Sequence, residues 1–225
     1  NSDQIMELNK VPEKLSIIGS GYIAIEFAFI FSLLGAKVDL ICRKNILRGF
    51  DDHLIKLVKE RLIASGVKVL LNEEVKKISL KNGLKKIFLK KSKSVLRANE
   101  ILVAIGRHAN VKGLNLDNIG IKLSKKKSII VDKNLKTNIR NIYAIGDVTD
   151  RINLTPVAIA EGHFLSDRLF GGINNKKVNL NNIGTAVFSS PPISTIGPTE
   201  KEALKKYKHI DIYESVFTSL KYSIV

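Results

Sequence analysis

A short apolar segment that runs into a glycine-rich turn constrains the fold of this chain more than any other feature. Residues 14–18 form a β-rich apolar run that stops at Gly19-Ser20-Gly21. Dense apolar residues follow over 22–34, where Glu26 is the only charged residue, and Gly35 provides a stop signal for a helix. A strand that leads through a glycine turn into a helix is typical of the opening of a parallel α/β unit.

The following segments continue the alternation of strands and helices. Three further elements are expected: a strand over residues 37–42, a helix over 50–64 and a strand over 67–71. Residues 74–98 alternate lysine with apolar residues around Asn82-Gly83, a dipeptide that favours a hairpin turn, and so predict an antiparallel meander. With another strand over 100–105, the sequence predicts an α/β fold, a Rossmann-like domain with an antiparallel insertion, which ends near residue 132.

The second part of the chain contains another predicted strand-to-helix transition. The apolar run 142–145 ends at Gly146-Asp147, and a helix is expected from Pro156 as far as Phe170. Residues 185–188 are again β-like in composition. We therefore expect a second α/β segment followed by the start of an α+β region.

The glycine turn carries the spacing of a dinucleotide-binding fingerprint, with Gly19 and Gly21 followed by Ala24. The first glycine permits a tight turn, the second lets the backbone approach a pyrophosphate, and a small third residue lets helix and strand pack closely. The free backbone N–H groups at the helix start would then bind the anion. The alternative is a glycine turn that binds nothing.

The residues after the second strand decide between the two nicotinamide cofactors. An acidic side chain there accepts hydrogen bonds from a ribose 2′-hydroxyl, whereas cations suit a 2′-phosphate. This chain has no acid there but presents Arg43 and Lys44, with Arg48 close behind. We therefore expect NADPH rather than NADH. The alternative is that these are solvated surface charges in a lysine-rich chain.

Composition limits the other classes of function. The net charge of +16 would suit a nucleic-acid binder, but the lysines are spread along the chain and no readout motif accompanies them, so we expect no nucleic-acid partner. No apolar run approaches the roughly 18 residues of a membrane span, so no membrane partner is expected. Cys42 is the only cysteine, which fits a reducing, cytoplasmic location and excludes a metal site built from cysteines of this chain.

Four segments together resemble a known family. They are residues 19–26, residues 43–51, Ala104-Ile105-Gly106-Arg107 and Tyr143-Ala144-Ile145-Gly146-Asp147. In this order they resemble the pyridine nucleotide-disulfide oxidoreductases (class I), and residues 46–51 and 153–158 are most similar to the glutathione reductase branch, with trypanothione reductases next. The resemblance spans nearly the whole chain.

The resemblance implies roles for individual residues. It places an NADPH site at Gly19, Ser20, Gly21, Tyr22, Ile23, Glu26, Arg43, Lys44, Arg48, Gly106 and Ala186. Arg43 and Arg48 would hold the 2′-phosphate, with Lys44 as an auxiliary. Tyr22 resembles a mobile lid over the flavin, although a plain packing role is the alternative. Because a buried glutamate is costly unless something binds it, Glu26 should have a partner, such as a lysine outside this segment.

A second implied site is half of an FAD cradle. The resemblance places it at Gly146, Asp147, Asn153, Leu154 and Thr155, where Asp147 would bind the ribityl chain. It also divides the chain into an NADPH-binding domain (1–132), the C-terminal part of an FAD-binding domain (133–178) and the start of a dimerisation domain (179–225).

The implied activity sends a hydride from NADPH to FAD and then electrons through a cysteine pair to glutathione disulfide, in a homodimer. We expect no catalytic residue within these 225 residues, because the redox cysteines would lie upstream and a His-Glu pair downstream. Several alternatives stay open: trypanothione reductase, dihydrolipoamide dehydrogenase, mercuric reductase, or a non-catalytic NADPH-binding flavoprotein.

Overall fold

The computed structural model describes residues 1–81, 83–173, 178–217 and 220. In chain order its helices and strands are α1 (Ser2–Met6), β1 (Lys14–Ile18), α2 (Tyr22–Leu33), β2 (Lys37–Ile41), α3 (Asp52–Ala64), β3 (Lys68–Leu70), β4 (Val75–Lys81), β5 (Leu84–Leu89), β6 (Val95–Ala98), β7 (Glu100–Val103), α4 (Thr155–Leu169), β8 (Thr185–Val187), β9 (Ile193–Thr195) and α5 (Glu200–Lys206). Sequence reasoning did not predict the two short helices α1 and α5 or the strand β9.

A four-stranded parallel sheet forms the centre of the first part, in the order β3-β2-β1-β7. Strand β1 lies between two partners, so its residues Leu15 and Ile17 are fully buried. They belong to one core with Ala24 and Ile25 of α2 and with Leu40 of β2. The predicted α/β fold is therefore confirmed, with the glycine turn at the end of the central strand.

The predicted antiparallel meander is also confirmed. Strands β4, β5 and β6 form a three-stranded antiparallel sheet. Its buried residues Ile87 and Leu89 form a second core with Ile41 of β2, and Ile18 of β1 packs against this core. The meander thus covers part of the parallel sheet. Lys81 and Leu84 pair across the hairpin turn, whereas Asn82, which we predicted to shape that turn, lies outside the described residues.

The predicted strand over residues 142–145 is wrong. Within the described part of the chain, only Tyr143 of this run forms a β-bridge, with Lys136. The neighbouring backbone bonds, from Ala144 N–H to Leu135 O and from Thr137 N–H to Ile142 O, close a loop rather than a ladder. A strand needs a continuous partner. A 3₁₀ turn follows at Gly146–Thr149, and the predicted helix is confirmed as α4.

The last described elements pack onto the first part of the chain. Strands β8 and β9 form a hairpin, and Val187 of β8 is fully buried in the core that contains Leu15 and Ile17. Helix α5 is attached at its start, where the Glu200 N–H donates to Asp51 Oδ1 at 2.8 Å. Among the described residues, no helix has both the length and the apolar character needed to cross a membrane.

Candidate functional site

The glycine turn begins at Gly19, a position that only glycine fits. Its φ of +149° is rarely adopted by other residues, and a Cβ atom there would lie 2.3 Å from the Ala104 carbonyl oxygen. The Gly19 N–H donates to Ile41 O at 3.0 Å. Gly19 thus lets the turn pass between the ends of β2 and β7.

Gly21 differs, because the fold itself does not require a glycine there. It precedes α2 with φ −81° and ψ 178°, a conformation open to any residue, and a Cβ atom would meet no protein atom within 4 Å. No side chain caps α2 at Gly21, so the first N–H groups of the helix are available to an anion. The third position, Ala24, is fully buried in the core that contains Leu15 and Ile17. Space beside Gly21 and free helix N–H groups fit a dinucleotide pyrophosphate.

The loop that carries the predicted phosphate-binding cations is fastened to the glycine turn. The Leu47 N–H donates to Ser20 O at 2.8 Å, and the side chains of Ile46 and Leu47 are buried. This anchoring leaves Arg43, Lys44 and Arg48 exposed on the same loop. The structure therefore holds the loop that carries the three cations beside the glycine turn that precedes α2.

Cys42 lies beneath this loop. Its thiol donates to Gly19 O at 3.2 Å, and burial raises the pKa of the thiol to about 12. Since the thiolate is the reactive form of cysteine, Cys42 is inert at neutral pH. It contributes to packing beneath the turn.

The remaining predicted NADPH residues lie around α2 and the end of β7. Tyr22 and Ile23 occupy the first turn of α2, where Tyr22 is 37% exposed. Gly106 is exposed beyond the end of β7 with φ +144°, two residues after the Ala104 carbonyl that faces Gly19. Ala186 is exposed on β8, whose neighbour Val187 enters the core beneath α2. All three regions thus adjoin the glycine turn or its helix.

Glu26 has a partner in this structure. Its Oε1 accepts the Phe188 N–H at 3.0 Å, so its carboxylate, which is only partly buried, connects α2 to the strand β8 region. The expected need for a partner is thereby met from within the described residues. The contact also fixes Ala186, two residues before Phe188, near α2.

Sequence reasoning missed an acidic neighbour of the basic loop. Glu74 binds Lys90 Nζ at 3.0 Å, and this hydrogen bond is the main reason why the pKa of Glu74 lies below its usual value, with a smaller contribution from Arg43. A signal was available, because Glu74 follows β3, which runs parallel to β2. Chain segments after neighbouring parallel strands meet at the same sheet edge.

The predicted flavin residues lie in the 3₁₀ turn and at the start of α4. Gly146 is buried with φ +68°, and its added Cβ would lie 3.0 Å from Ala158 Cβ. Asp147 is half exposed and faces Arg107 Nη2 at 3.8 Å. Asn153 Nδ2 donates to Asp150 Oδ1 at 3.3 Å. Leu154 precedes α4 without a capping side chain, and Thr155 is exposed at its first position.

A buried ionic network behind this turn was also missed. Glu161 of α4 is 1% exposed, accepts the Gly146 N–H at 2.6 Å and forms a salt bridge with Arg151. Within the described residues, the buried Arg151 Nε and Asn153 Oδ1 have no hydrogen-bond partner. Buried polar atoms without partners are costly, so these two atoms are able to bind a further polar group. The described residues contain no cluster of three or more metal-binding side chains.

Comparison with known proteins gives a consistent result. The family model for pyridine nucleotide-disulphide oxidoreductases matches residues 1–162. Trypanothione reductase of Trypanosoma congolense is 41% identical over 100% of this chain and 46% of that protein. Glutathione reductases of Burkholderia cepacia and Schizosaccharomyces pombe are 37% and 36% identical over 98% and 100% of this chain, and over 49% of each of those proteins. The chain spans about half the length of these relatives.

Solved structures agree with the fold. The HOCl-induced flavoprotein disulfide reductase RclA from Escherichia coli, as a Cu(II) complex, aligns with a TM-score of 0.85 and 30% identity over 91% of this chain and 47% of that chain. LpdA from Mycobacterium tuberculosis aligns with a TM-score of 0.82 over 90% of this chain and 44% of that chain. At 24% identity, the second similarity concerns the fold alone.

Proposed function

Because this chain belongs to the pyridine nucleotide-disulphide oxidoreductases, we propose that it is the central part of an NADPH- and FAD-dependent reductase of glutathione disulfide. Residues 1–132 would bind NADPH, 133–178 would complete the FAD-binding domain, and 179–225 would begin the interface of a cytoplasmic homodimer. When bound, NADPH supplies a hydride that FAD passes on as electrons for disulfide reduction.

The observation that carries the NADPH assignment is the bond between Leu47 N–H and Ser20 O. It ties the loop bearing Arg43 and Arg48 to the glycine turn. The backbone amides of α2 would bind the pyrophosphate, and the two guanidinium groups would bind the 2′-phosphate by charge-assisted hydrogen bonds. No acidic residue occupies the end of β2 to repel that phosphate.

The thiols that exchange with the substrate would lie outside this chain. Its one cysteine, Cys42, is buried, and the raised pKa of its thiol leaves no thiolate at neutral pH. The chain would instead bind and orient the two cofactors. At the flavin half-site, Asp147 and Thr155 are exposed and free of the packing that would hide them from a ligand.

Replacing both arginines tests the cofactor assignment. In Arg43→Ala with Arg48→Ala, each lost contact is worth about 1.5–3 kcal/mol, so the Kd for NADPH should rise at least ~100-fold while that for NADH changes less than ~3-fold. Arg97→Ala with Arg140→Ala removes the same charge from exposed positions elsewhere and should leave both values unchanged. Equal losses for NADPH and NADH would contradict the phosphate role.

A second candidate substrate is trypanothione disulfide, favoured by the 41% identity to a trypanothione reductase. Steady-state kinetics of the complete protein with NADPH distinguish the two candidate substrates. A kcat/KM at least ~100-fold higher for glutathione disulfide supports our proposal, since such discrimination corresponds to about 2.8 kcal/mol. The reverse preference would identify trypanothione disulfide, and no turnover of either would favour a non-catalytic flavoprotein or a sister reductase.

A further inference from the structure

Glu161 is a buried carboxylate that the proposed cofactor contacts do not use. It lies on the inner face of α4 between Val157 and Phe164, which are also buried. Transfer of a carboxylate into such surroundings is strongly unfavourable unless an ion pair and hydrogen bonds satisfy it. An apolar side chain of similar size would pack there without that cost. A carboxylate at this position therefore requires a reason beyond the stability of α4.

The contacts of Glu161 indicate that reason. One carboxylate oxygen, Oε2, accepts the Gly146 N–H at 2.6 Å, and the other, Oε1, binds Arg151. Gly146 begins the 3₁₀ turn, and Arg151 follows it directly after Asp150, which has φ +51°. One buried side chain thus holds both ends of the segment 146–151. This segment contains Asp147.

An independent observation concerns the polar atoms beside the network. Within the described residues, Arg151 Nε and Asn153 Oδ1 are buried without hydrogen-bond partners. One is a donor and the other an acceptor, and they lie two residues apart in the segment that leads to Thr155. Unpaired buried donors and acceptors indicate a place that another group completes. The Glu161 network therefore borders an incomplete polar surface rather than a closed core.

We propose that Glu161 is a positioning residue for the flavin: its carboxylate, paired with Arg151, fixes Gly146 and thereby sets the position of Asp147 at the half-cradle. This inference rests on the proposed function, because it assumes that the segment binds FAD. It assigns to Glu161 no contact with the cofactor itself. The role is to hold the backbone that presents Asp147.

Two variants of the complete protein separate positioning from folding. Glu161→Leu suits the apolar surroundings and removes both contacts, whereas Glu161→Gln keeps an acceptor for the Gly146 N–H but removes the charge that pairs with Arg151. Glu60→Gln, at an exposed position of α3, is the matched control for loss of one negative charge. The readouts are the Kd for FAD on reconstitution of the deflavinated protein, the absorbance spectrum of the bound flavin, the Kd for NADPH and the thermal midpoint of the apoprotein.

We expect Glu161→Leu to weaken FAD binding at least ~10-fold and Glu161→Gln by about 2- to 5-fold, because the second variant keeps one of two hydrogen bonds. The spectrum of the remaining bound flavin should shift in the Leu variant. The Kd for NADPH should stay unchanged in both, although the thermal midpoint should fall in both because Arg151 loses its ionic partner. A merely structural role would change the midpoint and both cofactors together.

Wild-type affinity and spectrum for FAD in both variants would overturn this inference alone. Parallel losses of FAD and NADPH affinity in the Gln variant would also overturn it, in favour of a folding role. Wild-type protein that binds no FAD would instead contradict the proposed function, on which the inference depends.

Discussion

The nucleotide region (residues 19–26 with 43–48) and the flavin segment (residues 146–155) lie in the same chain but are built to different degrees. The nucleotide region stands at the end of a four-stranded parallel sheet, and its turn and loop are joined by their own backbone bonds. The flavin segment is supported by the buried Glu161, by the Ile129 N–H, which donates to Val148 O at 2.9 Å, and by an ion pair of Lys126 with Asp150. Among the described residues, the buried side-chain atoms without a hydrogen-bond partner are Arg151 Nε and Asn153 Oδ1 in the flavin segment itself, and Ser16 Oγ and Asp39 Oδ2 in the strands β1 and β2 that lead to the nucleotide region.

This difference shows which kind of site is determined by residues that are contiguous in the sequence. A strand, a glycine turn and a helix are contiguous, so local residues fix the position of the helix N-terminus and its free N–H groups. The flavin segment instead follows a run of four apolar residues that forms no strand here. Its geometry depends on the ion pair of Arg151 with Glu161, and two of its buried polar atoms have no partner among the described residues.

The largest contrast is expected from replacing one glycine with alanine in the nucleotide region and another in α4, the helix that follows the flavin turn. Gly19→Ala forces a Cβ atom to 2.3 Å from the Ala104 carbonyl oxygen at a φ of +149°, so the free energy of unfolding should fall by about 4 kcal/mol. In Gly162→Ala, inside α4, the new Cβ atom meets only Ile145 Cδ1 at 3.6 Å, so the free energy of unfolding should rise by about 0.5–1 kcal/mol. Urea unfolding of both variants measures this difference, and equal changes in the free energy of unfolding would contradict the prediction.

A second contrast compares two isoleucines. Ile46 anchors the basic loop and is 0% exposed, so Ile46→Ala should cost about 3 kcal/mol and also weaken NADPH binding. Ile145 precedes the flavin turn and is 37% exposed, so Ile145→Ala should cost no more than about 1 kcal/mol. Denaturant midpoints with unchanged m-values give the comparison. A larger loss at Ile145 would mean that the flavin segment is the better packed of the two.

The smallest expected effect is a pH dependence on the nucleotide side. Glu73 accepts the N–H groups of Lys91, Glu74 and Ser92, and these bonds, led by that of Lys91, lower the pKa of its carboxyl to about 2. Because the folded-state pKa is depressed, the stability it confers is present above the usual value of 4.5 and is lost as pH falls towards 2. The difference in urea midpoint between the wild type and Glu73→Gln should therefore shrink from pH 7 to pH 3; growth of that difference would contradict the assignment.

Sequence reasoning was accurate where local pattern decides structure. The alternation of lysine with apolar residues predicted the meander, and the apolar segments with glycine stops predicted α2 and the parallel strands. It failed at residues 142–145, because an apolar run does not reveal whether a neighbouring strand exists. It also gave no indication that Glu161 would pair with Arg151 and Gly146, since hydrogen bonds over 10 and 15 residues have no periodic signature.

The candidate site divides in the same way. The glycine spacing and the cations after β2 could be located from the sequence, and the structure places them side by side through the Leu47 to Ser20 bond. The contact of Glu26 with Phe188 could not be predicted from the sequence, because it joins residues 162 positions apart. Glu74 was missed although a signal existed, because the predicted parallel strands bring the segment after β3 to the same sheet edge as the basic loop.

The most direct test of the central claim is the pair of dissociation constants for NADPH and FAD in a Gly21→Ala variant of the complete protein. The added Cβ meets no protein atom within 4 Å, so the fold should persist, with a loss of no more than about 1 kcal/mol. If the nucleotide lies against Gly21, the Kd for NADPH should rise at least ~10-fold, or about 1.4 kcal/mol, while that for FAD stays unchanged. Unchanged NADPH binding would contradict the claim that the glycine turn is the nucleotide site.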